Sequence, residues 1–275
     1  MKPHEIEELE IDLLLEAIHR RYGYDFKAYA RASIERRIRL FVSTKGMAHV
    51  SELLPRVIHD GGLFYELLQS FSISVTEMFR DPPTFRAIRK HVVPGLKSFP
   101  FIKVWHAGCA TGEEVYSQAI VLSEAGILDR ATLYGTDFND ESLAKAKEGI
   151  YPVDRIKDFT RNYQDAGGTR SFSEYYHASY DCASMKAALK ERILFTNHNL
   201  ITDAVFSEFH LIFCRNVLIY FNRDLQNKVL NLIADSLVRG GWLCLGSAED
   251  LKFTDVADQF DTVDAAARLY RKKVR

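Results

Sequence analysis

A short apolar run over residues 101–108 empties into Gly108-Cys109-Ala110-Thr111-Gly112, and a helical pattern follows from about Glu113 to Glu124. A strand that turns through small residues straight into a helix leaves few folds open, because the crossover it starts must return as a parallel strand of the same sheet. The rest of the chain repeats the unit. Strand patterns fall over residues 131–137, 192–200, 209–216, 242–247 and 267–273. Helical patterns lie over 141–148 and 223–238, the second expected to stop at Gly240-Gly241. The alternation predicts an α/β fold: a Rossmann-like, mainly parallel sheet of seven strands.

Upstream of residue 100 the pattern is helical instead. Leu9, Leu13, Leu14 and Ile18 recur at helical spacing before Gly23, and Ile34, Ile38 and Phe41 form a stripe on a second helix over about 29–45, with Arg36 and Arg39 on the opposite side. Residues 1–26 hold seven acids and three bases, whereas residues 27–45 hold six bases and one acid. Such a basic face is either solvated or a docking surface for an acidic partner. Pro82, Pro83, Pro94, Gly95 and Pro100 mark a junction. The expected division is a helical N-terminal domain over 1–81, a linker over 82–100 and a ligand-binding domain over 101–275. Arg192 lies 43 positions after Gly149, too far for an αβ loop, which predicts a small inserted β-subdomain at about 151–191.

Composition removes other classes. A formal net charge of -1 argues against a chain held to nucleic acid by its overall charge. No apolar run reaches the roughly 18 residues that span a bilayer, so membrane insertion is not expected. Cys109, Cys182, Cys214 and Cys244 form no C-x-x-C pair and no zinc spacing, so no metal is expected and a reducing cytoplasmic setting is.

The turn at 108–112 sits where α/β sheets bind nucleotide-like ligands, with Gly108, Ala110 and Gly112 allowing close backbone approach. It is neither a strict G-x-G-x-x-G nor a P-loop. Asp137, 25 residues after Gly112, stands where an acid accepts ribose hydroxyls. Glu113 and Glu114 would repel a pyrophosphate and would welcome a cofactor with a sulfonium and an α-ammonium group. That favours S-adenosylmethionine over NAD.

The chain resembles the CheR-type chemotaxis receptor methyltransferases, which methylate receptor glutamates. The resemblance rests on Ser74-Val75-Thr76-Glu77-Met78-Phe79-Arg80-Asp81, the run from Gly108 to Ser117, Thr136-Asp137, Asn199-Leu200, the run from Ile212 to Phe221, and a shorter echo at Gly246-Ser247-Ala248-Glu249. It implies S-adenosyl-L-methionine as cofactor and S-adenosyl-L-homocysteine as product. Glu114 would bind the methionyl amino group and Asp137 the ribose, with Asn199, Leu200, Arg215 and Asn216 on the adenine side. Ser74, Thr76 and Arg80 would close over the methionyl end. Arg80 would grip a carboxylate, either the substrate's or the cofactor's, and Tyr220 would sit near the methyl group. Ser74 replaces an Asn common in the family, and no role is carried onto Glu249. Arg36 and Arg39, with Arg31 and Arg37 behind them, would face the acidic, glutamate-bearing cytoplasmic helices of the receptor. In some members the inserted subdomain adds the receptor's C-terminal peptide as an edge strand. The alternative is a non-catalytic cofactor- or nucleotide-binding signalling module on the same fold.

Overall fold

The computed structural model describes residues 1–24, 26, 29, 31–71 and 76–274. The chain divides into two compact units, Met1–Ile73 with Tyr220–Leu225, and Ser74–Ile219 with Gln226–Arg275.

In the first unit the helices are Pro3–Tyr22, Arg31–Thr44, Leu53–His59 and Gly61–Phe71. The first helix buries Ile11, Leu14, Leu15 and Ile18, an i, i+3, i+4, i+7 set. Leu9 and Leu13, expected on the core stripe, are instead 46% and 52% exposed and line up with Ile6 on the outer face. Ile11 and Leu15 are better in phase with Leu14 and Ile18, and the helix turns accordingly. The second helix buries Ile34, Ile38 and Phe41 as expected, and also Arg37. The Arg37 guanidinium donates to the carbonyls of Ser70 and Phe71 and lies 5.3 Å from the Tyr220 ring centroid. Arg37 is therefore an internal strut and not part of a docking face.

Residues 82–96 of the second unit are helical where a linker was expected. Pro82–Ala87, Ile88–Val92 and Val93–Leu96 run on without a break, burying Phe85, Ile88, Val92 and Leu96. Pro82 and Pro83 sit in the first turn, where a missing N–H costs nothing. Pro94 follows a wider π turn over Ile88–Val92, which relieves the bond a proline cannot make.

The strands are β1 (Ile102–Ala107), β2 (Ala131–Asp137), β3 (Ile150–Pro152), β4 (Tyr176–Ser179), β5 (Cys182–Met185), β6 (Ile193–Asn197), β7 (Phe209–Cys214), β8 (Leu237–Leu245), β9 (Phe260–Asp264) and β10 (Leu269–Lys272). Seven form one sheet in the order β6-β2-β1-β7-β8-β10-β9. From β6 to β8 all pairs are parallel, and β10 runs antiparallel to β8 and β9. This is the expected α/β architecture, with a helical N-terminal part and a small three-stranded antiparallel sheet, β3-β5-β4. The helix over 223 onward ends earlier than expected, at Asp235, and Gly240-Gly241 lies inside β8. Gly240 takes φ 76° there, next to a register shift between β7 and β8, so the glycine pair marks a bulge in a strand and no helix stop.

The residues between β3 and β6 are pinned to the main sheet's helix Glu113–Glu124 by one buried acid. Glu124 accepts from the Tyr163 hydroxyl, from the Thr169 N–H at 3.1 Å and from the Tyr175 hydroxyl at 3.1 Å, and Arg89 Nη2 lies 2.5 Å from its other oxygen. Burial would raise this carboxyl, but the bond from Tyr163, the Thr169 N–H and the Arg89 charge hold it below its ordinary value. A lowered carboxyl contributes stability that is present at neutral pH and is lost as pH falls through that lowered value. Glu124→Ala, which strands three hydroxyls and a guanidinium, is expected to cost roughly 3 kcal/mol. Denaturant unfolding at neutral pH checks this, and the difference from wild type should shrink in acid.

Candidate functional site

Every parallel strand delivers a polar or flexible segment to the same edge of the sheet. β1 ends at Ala107 and passes into the glycine turn, β2 ends on Asp137, β6 precedes Asn199 and Leu200, and β7 precedes Arg215 and Asn216. From β1 the chain goes to β2 and β6 on one side and to β7 and β8 on the other, so the order reverses between β1 and β7. A crevice at the carboxyl ends of such strands is where open α/β sheets hold ligands. The turn is tied to its neighbour by Gly108 N and Cys109 N, which donate to the Thr136 carbonyl at 2.8 and 2.9 Å. Gly112 caps the helix Glu113–Glu124 with φ 89°, and a Cβ there would stand 2.9 Å from that of Ala146, so only glycine fits.

Asp137 is buried, and its two oxygens each accept one backbone bond: Oδ2 from Ala110 N at 2.9 Å and Oδ1 from Asn139 N at 3.0 Å. Burial pushes its carboxyl above the usual range, against the pull of these N–H groups. Glu114 has a different setting. Its Oε2 lies 2.6 Å from Arg215 Nη1, and its Oε1 lies 3.1 Å from His106 Nδ1. Burial works to raise Glu114, but the Arg215 charge and the His106 contact hold it below its ordinary value. Arg215, with 2% of its side chain exposed, gives its other terminal nitrogen to Asp81 at 2.6 Å.

Glu113, expected to act as a second negative charge beside the ligand, is in a different setting from Glu114. It is buried, accepts from Thr111 Oγ1 at 2.6 Å, and burial pushes its carboxyl up to about 7. One step along a helix is a turn of about 100°. That rotation separates an ionised Glu114 from a Glu113 that is partly protonated near neutrality.

Segment 76–81 is held by side chains from the inserted region. Arg155 donates to the Thr76 carbonyl at 3.2 Å and Asn162 to the Met78 carbonyl at 3.1 Å. Phe79 and Asp81 adopt φ 55° and 56°, and Phe79 N donates to Ser117 Oγ at 2.8 Å. Arg80 is half-buried, and its carbonyl accepts from Arg215 at 3.3 Å. Ser74 lies outside the described residues. Asn199 Oδ1 accepts from Ile201 N at 3.0 Å, which shapes the loop after β6, and Leu200 is buried. Thr76, Arg80, Glu114, Asp137, Asn199, Leu200, Arg215 and Asn216 thus lie in the second unit, on the segments that border the carboxyl edge.

A residue without an assigned role organises part of this edge. Glu249 Oε1 accepts from the backbone N–H groups of Val217, Leu218 and Ile219 at 2.9, 2.8 and 3.3 Å, and Oε2 from those of Asn216 and Gly246 at 3.0 and 2.7 Å. The carboxylate replaces the strand partners that residues 216–219 have lost, and Asn216 is held at φ 59°. The sequence signal was the short echo at Gly246-Ser247-Ala248-Glu249, which by itself gave the acid no role.

Tyr220, Arg36 and Arg39 lie in the first unit. Arg36 and Arg39 are exposed, as expected, but Arg39 is engaged by Glu7 at 3.0 Å and Glu35 at 3.1 Å, and Arg31 by Asp12 and by Glu35 at 2.6 Å. The acids of the first helix thereby offset much of the basic run of the second.

The model of the CheR methyltransferase SAM binding domain matches residues 74–268, and that of the CheR methyltransferase all-alpha domain matches residues 9–72. Among similar proteins, Cher3 of Pseudomonas putida is 49% identical over 265 residues, covering 96% of this chain and 97% of that protein. The chemotaxis protein methyltransferase of Listeria innocua is 29% identical over 250 residues, covering 90% and 92%. That of Vibrio anguillarum is 30% identical over 248 residues, covering 84% of each.

Glu249→Gln sets an amide NH2 against backbone donors that need an acceptor. It is expected to destabilise the protein by roughly 2–3 kcal/mol, read from urea unfolding.

Proposed function

Because the chain belongs to the CheR methyltransferase family, we propose that it transfers methyl groups from S-adenosylmethionine to glutamate side chains on the cytoplasmic helices of chemotaxis receptors, forming methyl esters. The observation that supports this most is the pairing at one sheet edge of a buried ribose-type acid, Asp137, with an ionised Glu114 held from two sides.

The residues present fit the cofactor. Each Asp137 oxygen spends one bond on the backbone and retains acceptor capacity for a ribose hydroxyl. Glu114 offers negative charge to an α-ammonium group. Asn199, Leu200 and Asn216 are proposed on the adenine side and Ser74, Thr76 and Arg80 at the methionyl end, while the Arg215 side chain, expected on the adenine side, is taken up by Glu114 and Asp81. When bound, S-adenosylmethionine supplies a methyl group on a sulfonium, open to displacement by an oxygen anion. A glutamate carboxylate has an ordinary pKa of about 4.3 and is ionised near neutrality, so the chain has to orient it and need not deprotonate it. Holding the reacting atoms in line is an effect of about 7–11 kcal/mol. Arg80, suited to a planar carboxylate, and Tyr220 are the residues proposed to meet the reacting groups. The exposed Arg36 and Arg39 are proposed to meet acidic receptor helices. β4, at the edge of the three-stranded sheet, is suited to adding a receptor peptide as a further strand.

Incubation with labelled S-adenosylmethionine and receptor-bearing membranes should give base-labile methyl ester on receptor glutamates; label found on no carboxylate overturns the assignment. Arg36→Ala combined with Arg39→Ala should cut receptor methylation at least tenfold and leave S-adenosylhomocysteine affinity unchanged, since such surface ion pairs contribute only about 0–1 kcal/mol to the fold. Loss of both would make the pair structural. Because an ionised Asp137 accepts from the ribose through both oxygens, and more strongly than the protonated acid, and its carboxyl is raised by burial, cofactor affinity should fall as pH drops through that raised value. Titration calorimetry over an acid pH series reads this, and Asp137→Asn should flatten the dependence.

A further inference from the structure

His106, the next-to-last residue of β1, is 1% exposed and takes no part in the glycine turn or the ribose acid. Its ring lies flat on Phe213 of β7, with centroids 4.3 Å apart and planes within 6°. Nδ1 stands 3.1 Å from Glu114 Oε1, whereas Nε2 is buried with no hydrogen-bond partner among the described residues. An ionised carboxylate only accepts, so the proton of this contact belongs to Nδ1. A proton on Nε2 would be a buried donor that no described residue receives, which is costly.

We propose that His106, as its Nδ1–H tautomer, is a positioning residue that fixes the Glu114 carboxylate to receive the α-ammonium group of the cofactor. This rests on the reading of Glu114 given above. Arg215 takes Oε2 and His106 takes Oε1, so the carboxylate is held through both oxygens and cannot swing about its last bond. The Phe213 stack fixes the plane of the imidazole. Charge explains why an imidazole suits the position. Arg215 is shared between Glu114 and Asp81, so one guanidinium faces two carboxylates and one negative charge is left over. That surplus is what an ammonium group needs. A second Arg or a Lys in place of His106 would cancel it, while an imidazole hydrogen-bonds without doing so.

The test separates the amino acid part of the ligand from the nucleoside. S-adenosylhomocysteine carries the α-ammonium group, and 5′-methylthioadenosine lacks that whole arm. Both are titrated calorimetrically against wild type, His106→Asn, His106→Gln and Glu114→Gln. An Asn amide places its donor near Nδ1 and a Gln amide near Nε2. His106→Gln should lose roughly tenfold or more in S-adenosylhomocysteine affinity, the worth of a bond to a charged group, with methylthioadenosine affinity within about twofold. His106→Asn should stay close to wild type for both. The inference is overturned if both ligands weaken together in His106→Gln, or if the Asn and Gln variants behave alike. If Glu114→Gln lowers the ratio of the two affinities and His106→Gln does not, only the inference fails. If Glu114→Gln leaves the ratio unchanged, the premise falls and the inference with it. Nitrogen NMR of the unsubstituted protein gives a check free of any folding defect: His106 Nδ1 should appear protonated and Nε2 unprotonated, and the reverse pattern overturns the proposal.

Discussion

One buried guanidinium joins the segments that border the site. Arg215, at the end of β7, holds Glu114 from the helix after the glycine turn and Asp81 from the segment before the first helix of its unit, both at 2.6 Å. An arginine with 2% of its side chain exposed is tolerable only when its charge is met, and here two carboxylates meet it. The pairing also accounts for the backbone around it. Phe79, Asp81 and Asn216 all take positive φ without being glycine, at a cost of order 1–3 kcal/mol each. Such conformations persist where surrounding bonds over-determine them. Here the bonds come from Ser117 to Phe79, from Arg215 to Asp81 and from Glu249 to Asn216.

The electrostatics of the site follow from which groups those bonds reach. Glu113 and Glu114 are neighbours of the same chemistry, yet one carboxyl is pushed up to about 7 and the other is held below its ordinary value. Burial acts on both in the same direction. The difference is Arg215 and His106, which touch Glu114 alone. The site therefore presents localised negative charge in one place, backed by a net excess of one carboxylate over one guanidinium.

Local chemistry with one solution was legible in the sequence. The helix Glu113–Glu124, the turn before it and the strand ending on Asp137 follow from spacing, since a small-residue bend between a strand and a helix has few other uses. What escaped depended on partners far along the chain. Arg37 reads as one more base on a basic helix until Ser70, Phe71 and Tyr220 surround it. Residues 82–96 read as a proline-rich linker because proline punctuates chains, yet proline in a first turn and after a π turn is compatible with helix. Gly240-Gly241 signals a helix end and a strand bulge equally well, and pairing with β7 decides it. Glu249 carries only the short echo at 246–249 as a local signature, because its five donors come from the sequence 30 to 33 residues before it and from Gly246.

The inserted region bears on the site through the backbone. Arg155 and Asn162 bond the carbonyls of Thr76 and Met78, Tyr151 donates to the Thr111 carbonyl at 2.8 Å, and the Tyr163 ring meets that of Phe79 at 5.3 Å. These contacts reach both the segment before the first helix of the unit and the glycine turn itself. Three short strands make a weak unit alone, and this one is secured to helix Glu113–Glu124 through Glu124 and to segment 76–79 through its own helix. The ordering cost of segment 76–81 is therefore met during folding. A ligand arriving at a segment already fixed gives up less of its binding energy to ordering, which is the general advantage of preorganisation. The insert thereby acts as a brace: it never needs to touch a ligand in order to set how firmly one is held.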